Sequence, residues 1–280
     1  MGGASVAVVG IIVLFAVLGH TTIPSGTYPV TAADPTVVQE VTTLSPSVLA
    51  SVGTGQNQTK PTKISGSALT GPTGKPEVFY YGAEYCPYCA AERWGIIVAL
   101  SRFGNFSNLH QITSSSTDVY PSTHTFSFYS SSYTSQYVDF VPLEVESYQS
   151  VTLQTPTSAE QQLIAQYNPG QSFPFVDIAN QYTIVGASYN PQVLSNLTWQ
   201  QIASDLSNAQ SPVAQHILGT ANYITAAICL ATNQQPASVC SAAPIPAVQQ
   251  SLNSSTGDTG TPTSPPAAPA AVFRTSALVG

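Results

Sequence analysis

Charge is what this sequence has least of. Six Lys and Arg together with thirteen Asp and Glu make up 7% of its 280 residues, where soluble domains ordinarily carry about 25%. The six basic residues form no cluster, so the chain offers no electrostatic footprint to a phosphate backbone and no nucleic-acid partner is expected. The acidic excess, a net charge of −7, is too dilute to form a partner-binding tail. Long apolar runs are also scarce. Only Gly2 to Gly19 is both long and uncharged, whereas a polytopic membrane protein needs several such spans. Methionine occurs once, at Met1, which leaves a thioether-assisted copper site without ligands. His110, His124 and His216 have no Ser or Cys partner in a known motif, and no Gly-x-Ser-x-Gly, P-loop or His-Glu-x-x-His string occurs. Hydrolase and nucleotide chemistry therefore have no support.

What is present points to a large folded domain with an unusual surface. Hydrophobic residues make up 43% of the chain, enough for a sizeable core at this length. With so few charges, solubility must come from Ser, Thr, Gln, Asn and Tyr, which suits an extracytoplasmic surface. Four Asn-x-Ser/Thr triplets, at Asn57, Asn105, Asn196 and Asn253, are candidate glycosylation sites. A low carboxylate count leaves few groups whose native pairing is lost in acid, so an acidic exterior fits as well.

The run Gly2–Gly19 is about the minimum length that crosses a hydrocarbon core as a helix. It reads as an uncleaved anchor rather than a signal peptide, because no basic segment precedes it and no Ala-x-Ala follows it. The chain then divides into an anchor or signal segment at 1–20, a Ser/Thr/Pro-rich stalk at 21–75, a main domain at 76–245 and a disordered tail at 246–280. Within the stalk, Asp34-Pro35 and Ser45-Pro46 each set an N-cap residue before a proline, which predicts two short helices.

In the main domain, Val78-Phe79-Tyr80-Tyr81 reads as a buried strand. A helix follows Pro87, apolar on more than one side and closing at Gly104. Strand patterns occur at Leu109–Ile112, Thr125–Tyr129 and Val138–Val141. A capping box at Thr157-Ser158-Ala159-Glu160 opens a helix. Phe173–Ile178 and Tyr182–Gly186 form a β-hairpin, and helical spacing returns at about 198 to 208 and 212 to 232.

Chemistry concentrates at Cys86-Pro87-Tyr88-Cys89, where the strand turns into the helix. Unpaired N–H groups and the helix macrodipole stabilise a thiolate at that position, so Cys86 is the expected nucleophile. Cys89, one turn along, is the expected resolving cysteine. Pro87 at the first helical position costs no hydrogen bond and stiffens the turn. Two other readings of the pair stay open: half of a zinc site, for which no matching second pair is found, and a purely structural disulfide. No metal and no cofactor is expected. Glu84 is either a proton relay to the thiols or an exposed loop residue. Arg93 is read as structural, paired with Glu92 or Asp177. Near the C-terminus, Gln234–Ser238 supplies a turn that can bring Cys240 back to Cys229. A stapling disulfide there agrees with an oxidising compartment, the alternative being a second redox pair that passes electrons to the first.

A buried strand, Cys86-Pro87-Tyr88-Cys89 opening a helix, and Phe173-Pro174 directly before a hairpin together resemble the thioredoxin-like superfamily. The resemblance implies an α/β fold, a central mixed sheet with helices on both faces, here enlarged by an insertion and a C-terminal helical extension. It also implies a cis Pro174 beside the sulfurs, shaping a substrate groove with Phe173. The Pro-Tyr dipeptide carrying Tyr88 is typical of glutaredoxins. Glutathione is not the expected substrate, because Arg93 and Arg102 are the only basic residues between 76 and 210. The string Tyr81-Gly82-Ala83-Glu84-Tyr85-Cys86-Pro87-Tyr88-Cys89-Ala90-Ala91-Glu92-Arg93-Trp94 is similar to an archaeal membrane-anchored thioredoxin-like family filed as domain of unknown function 929, over about residues 35 to 245. That family has no assigned reaction and supports the fold and the anchor, whereas the wider superfamily implies a thiol–disulfide oxidoreductase. Composition and the four Asn-x-Ser/Thr triplets put it outside the cytoplasm, and an oxidising exterior favours oxidase or isomerase over reductase. Its partners would be secreted or membrane protein thiols and disulfides. The alternative is a redox-inactive envelope interaction protein with a structural Cys86–Cys89 disulfide.

Overall fold

The computed structural model describes residues 31–254. The apolar run Gly2–Gly19 and the end of the tail lie outside the described residues. The chain opens with a short strand, β1 (Thr31–Ala32), and two helices, α1 (Pro35–Thr42) and α2 (Pro46–Val52). Both helices start at the predicted prolines, with Asp34 and Ser45 capping them through side-chain oxygens. They are not part of a stalk. Val37, Val41, Leu49 and Val52 recur at helical spacing and are buried in the main core. β2 (Thr62–Lys63) then joins the edge of the central sheet.

The motif region follows as β3 (Glu77–Gly82) and α3 (Pro87–Leu100). Four insertion strands come next: β4 (Gly104–Ser107), β5 (His110–Thr113), β6 (His124–Ser127) and β7 (Ser132–Ser135). Gly104 does not close α3, as expected from sequence, but begins β4, where a side chain would strike the Thr134 carbonyl. After these come β8 (Asp139–Glu144), α4 (Ser158–Tyr167) with its capping box, and the hairpin β9 (Phe175–Ile178) and β10 (Tyr182–Val185). The last helices are α5 (Trp199–Asp205), α6 (Pro212–Ala231), α7 (Ala237–Cys240) and α8 (Ile245–Ser254). The predicted disordered tail therefore begins too early. Ile245, Val248 and Leu252 share one face of α8 and are buried.

The central sheet runs β2-β10-β9-β3-β8, with β3 and β8 parallel and every other pair antiparallel. Residues of β3 alternate between its two faces. Val78 and Tyr80 enter the large core with α3 and α6, while Phe79 and Tyr81 enter a smaller one with Leu143, Ile164 of α4 and Phe175. The result is a mixed α/β fold with helices on both faces of a mixed sheet. Of the three strand patterns read between 105 and 150, only the last joins this sheet, as β8. β5 lies between β1 and β6 and pairs antiparallel with both in a second sheet, and β4 pairs with β7.

Among the described residues, α6 is the one helix long and apolar enough to cross a membrane. In this fold it is a core helix, because 83% of that apolar window is buried inside the protein. It packs on α3 at Gly95, where an added methyl group would lie 2.6 Å from Thr220 Cγ2. Cys229 at its end is bonded to Cys240, eleven residues on. Closing a loop of that size stabilises a fold by about 3 kcal/mol in the chain-entropy model. A Cys229→Ala/Cys240→Ala double variant should lose about that much in urea unfolding at unchanged far-UV circular dichroism.

Two carboxyls are buried away from any cation. Glu92 of α3 accepts the Ser188 N–H (2.7 Å) and hydroxyl (2.9 Å), and burial pushes its pKa up to about 7 against those bonds. Asp177 is pushed up to about 6 by burial, only partly offset by the Asn180 N–H. Ordinary values are 4.5 and 3.8, so between about pH 4 and 7 these two groups bind more protons in the folded chain than in the unfolded one. His110 and His124, lowered by burial from 6.5, oppose them in the same window, but the carboxyl displacements are the larger and set the sign. Stability therefore falls as pH rises through that window. Asp139 acts in the opposite sense but at lower pH: burial raises its pKa, and the Thr73 and Lys75 contacts outweigh this and bring it below 3.8. The thermal midpoint should thus drop from about pH 4 to about pH 7, and Glu92→Gln should flatten the part nearest neutrality. A midpoint that rises over this range contradicts the assignment.

Candidate active site

β3 leads into α3 through Ala83-Glu84-Tyr85, and Cys86 is the N-cap residue, with extended backbone (φ −76°, ψ 121°) and Pro87 at the next position. Its sulfur occupies the place of a capping oxygen and accepts the Cys89 N–H at 3.3 Å. Both thiols are free and buried. Cys86 keeps 7% of its surface and Cys89 none, so Cys86 is the sulfur an outside group can reach. Burial alone would raise the Cys86 pKa. Hydrogen bonds from the Cys89 thiol and N–H, the Arg93 charge and the Tyr88 N–H outweigh it and bring the thiol below its ordinary value. Cys89 moves the other way, driven up by burial and by its neighbour Cys86. The two thiols are thus shifted in opposite directions, with the proton held more firmly at Cys89 than at Cys86.

Behind the sulfurs lies a fully buried ion pair. Arg93 Nε and one guanidinium NH2 nitrogen donate to the two carboxylate oxygens of Glu144 at 2.8 and 2.7 Å, and that same nitrogen donates to Ala83 O at 2.8 Å. The expected partners were Glu92 or Asp177, and the fold sends both elsewhere, to Ser188 and Asn180. Parallel pairing of β3 with β8 sets Glu144 opposite Gly82, at the end of the sheet from which the motif loop departs. The guanidinium also lies 5.7 Å from the centre of the Tyr80 ring. The Cys89-to-Arg93 interval of four residues, one helix face, was a signal in the sequence. Glu144 carried none.

Glu84 is not an exposed loop residue. It is fully buried, accepting the Ser127 hydroxyl and the Tyr148 N–H, while its own N–H donates to Glu146 O at 2.8 Å. The Phe173–Pro174 bond is cis, and the Tyr81–Phe175 pairing sets Pro174 alongside Gly82 at the sulfur end of the sheet. The Phe173 ring packs on Tyr81 and Tyr85, with centroids at 4.7 and 6.5 Å. Tyr88 is half-buried, edge-on to Tyr120 at 5.8 Å. That loop is tied to the motif where Ser115 N–H donates to Tyr85 O. Tyr120, Ser127 and Glu144 all come from the insertion and β8, and sequence reasoning missed them. Of the sequons, Asn105, Asn196 and Asn253 are exposed. Asn57 is not available in the folded chain, because its amide nitrogen is buried against Gly219.

Among the described residues no group of three or more His, Cys, Asp and Glu side chains gathers in a metal-binding arrangement. The chain matches the family described as "Domain of unknown function (DUF929)" over residues 60–230 and belongs to it. No curated protein matches it, and no solved structure does.

Removing one member of a buried ion pair leaves the other charge unpaired, at a cost of about 3–5 kcal/mol. Arg93→Met should lower unfolding stability by that order in urea titration, and Arg93→Met/Glu144→Leu should recover much of it. Equal stability of wild type and Arg93→Met would mean that the pair is solvated.

Proposed function

We propose that this protein is a thioredoxin-like thiol–disulfide oxidoreductase that acts on the cysteines of secreted or membrane proteins. The observation that carries the reading is the Cys86 sulfur capping the start of α3, lowered in pKa beside a protonated Cys89. A client sulfur meets Cys86 first, a mixed disulfide forms, and Cys89 resolves it. The order strand, helix, parallel strand, helix, antiparallel hairpin, helix supports the thioredoxin-like reading. So does the sheet order β10-β9-β3-β8, with Pro174 next to the motif. Pro174 and Phe173 then form one wall of the client groove.

We place the domain outside the cytoplasm, tethered by Gly2–Gly19. The Cys229–Cys240 bond and the exposed Asn105, Asn196 and Asn253 acceptors agree with an oxidising compartment. Buried carboxyls that favour acid stability agree with an acidic one. In acid an ordinary thiol is protonated and inert, so a lowered Cys86 pKa is required for activity. The same lowering stabilises the reduced form and makes the couple oxidising. Oxidation or isomerisation of clients is therefore the favoured direction. Burial of both sulfurs favours a second reading, a redox-inactive interaction protein in which Cys86 and Cys89 form only a staple.

Refolding of a scrambled client, or insulin reduction, separates the two. Wild type should be active and Cys86→Ser should fall to background, whereas equal activity defeats the enzyme reading. Redox titration of the Cys86–Cys89 couple should give a potential less negative than about −270 mV, the thioredoxin value. A value at or below that points to a reductant.

A further inference from the structure

Cys89 presents a difficulty that its neighbours are placed to solve. It has no exposed surface, yet a resolving cysteine must carry negative charge as it attacks or departs. In a dry interior that charge needs a donor already in position. Tyr80, on the α3 face of β3, is fully buried, and its hydroxyl makes no hydrogen bond. A buried hydroxyl without an acceptor is costly and calls for a reason. The reason lies beside it. A methyl group on Gly82 would collide with Tyr80 Oη and would also lie 3.0 Å from Cys89 Sγ, so the hydroxyl and the sulfur face the same small space, kept open by a glycine. The ring is held edge-on against Phe128 at 5.1 Å and lies under the Arg93 guanidinium. Its position is therefore set independently of the sulfur.

We propose that the Tyr80 hydroxyl is a hydrogen-bond donor that stabilises the Cys89 thiolate, a catalytic role resting on the redox reading above. With a mixed disulfide on Cys86, Tyr80 Oη–H donates to the Cys89 sulfur as that sulfur gives up its proton, which ends on the released client thiol. Cys89 Sγ then attacks Cys86 Sγ. The Cys86–Cys89 bond forms, the bond from Cys86 to the client sulfur breaks, and its electron pair leaves with the client thiolate. In the oxidising direction a client thiolate attacks Cys86 of the disulfide, and Cys89 departs with the electron pair toward the same donor. Burial first of all drives the Tyr80 pKa well up, so the hydroxyl keeps its proton and acts as a donor rather than as a base. Arg93 and the Ala83 N–H also favour the Cys89 anion. Arg93 Nε and one terminal nitrogen are committed to Glu144 and Ala83 while its other terminal nitrogen has no partner, so Tyr80 adds a donor to a site already biased toward the thiolate.

Stopped-flow reaction of the reduced full chain with stoichiometric dithiobis(nitrobenzoate) reads the two sulfurs separately. The first thionitrobenzoate reports attack by Cys86 and the second reports resolution by Cys89. Tyr80→Phe keeps the ring and removes only the donor. The second phase should slow about tenfold or more, the usual weight of a hydrogen bond to a charged group. The first phase should stay within about twofold. An unchanged second phase, or equal slowing of both, overturns the role of Tyr80. Should Tyr80→Phe fail to fold, 3-fluorotyrosine at position 80, a stronger donor of nearly the same shape, decides. A faster second phase alone supports the proposal, and unchanged or jointly altered phases overturn it. A wild-type chain that releases no thionitrobenzoate defeats the redox reading itself, an outcome distinct from the failure of Tyr80.

Discussion

The Arg93–Glu144 pair is the constraint around which the site is assembled. A charge with no access to water is tolerated only when a partner of opposite charge is held in good geometry beside it. That requirement ties three pieces of chain to one another. Arg93 belongs to α3, Glu144 ends β8, and the Ala83 carbonyl belongs to the loop joining β3 to the helix. Once they are joined, the start of α3 cannot shift along the sheet, and the Cys86 sulfur stays at the helix N-terminus. The same guanidinium lies within electrostatic reach of both thiols, so structural and chemical roles coincide in one side chain.

α3 is enclosed to an unusual degree for a helix that begins at a reactive centre. From Cys89 to Leu100 every residue is buried, because the sheet lies under it, α6 closes on it at Gly95 and β6 of the insertion covers a further side. The insertion is bonded to it directly: Trp94 Nε1 donates to His124 O at 3.0 Å, and the Thr125 hydroxyl donates to Ala90 O at 2.8 Å. Such enclosure turns polar residues of the helix inward. Glu84, Glu92, Arg93, Glu144 and Asp177 are all fully buried, so the surface is poorer in charge than the composition suggests. Of these, Glu92 and Asp177 are the carboxyls that burial drives up in pKa, to about 7 and about 6.

Local signals in the sequence were followed closely by the fold wherever the physics was local. Prolines after Asp34 and Ser45 start helices because the cap and the fixed φ act within one turn. The Thr157 box and the 173–186 hairpin depend equally on near neighbours. Segments read from composition alone fared worse. Residues 31–75 look like a linker by their Ser, Thr and Pro content, yet four apolar side chains at helical spacing suffice to bury α1 and α2. In the tail, Ile245, Val248 and Leu252 do the same for α8.

The sequence by itself determined the strand-to-helix turn carrying Cys86 and Cys89, the place of Pro174 before a hairpin, and the order of the main elements, because each rests on backbone preferences spanning a few residues. Tertiary structure alone decided which groups surround the sulfurs. Glu144 reaches Arg93 only through the parallel pairing of strands more than fifty residues apart, and Tyr80 reaches Cys89 only through the packing of α3 on β3. It also decided that Glu84 is buried and that Asn57 is covered. Those outcomes follow from register and burial, which bring together residues with no mutual signature along the chain.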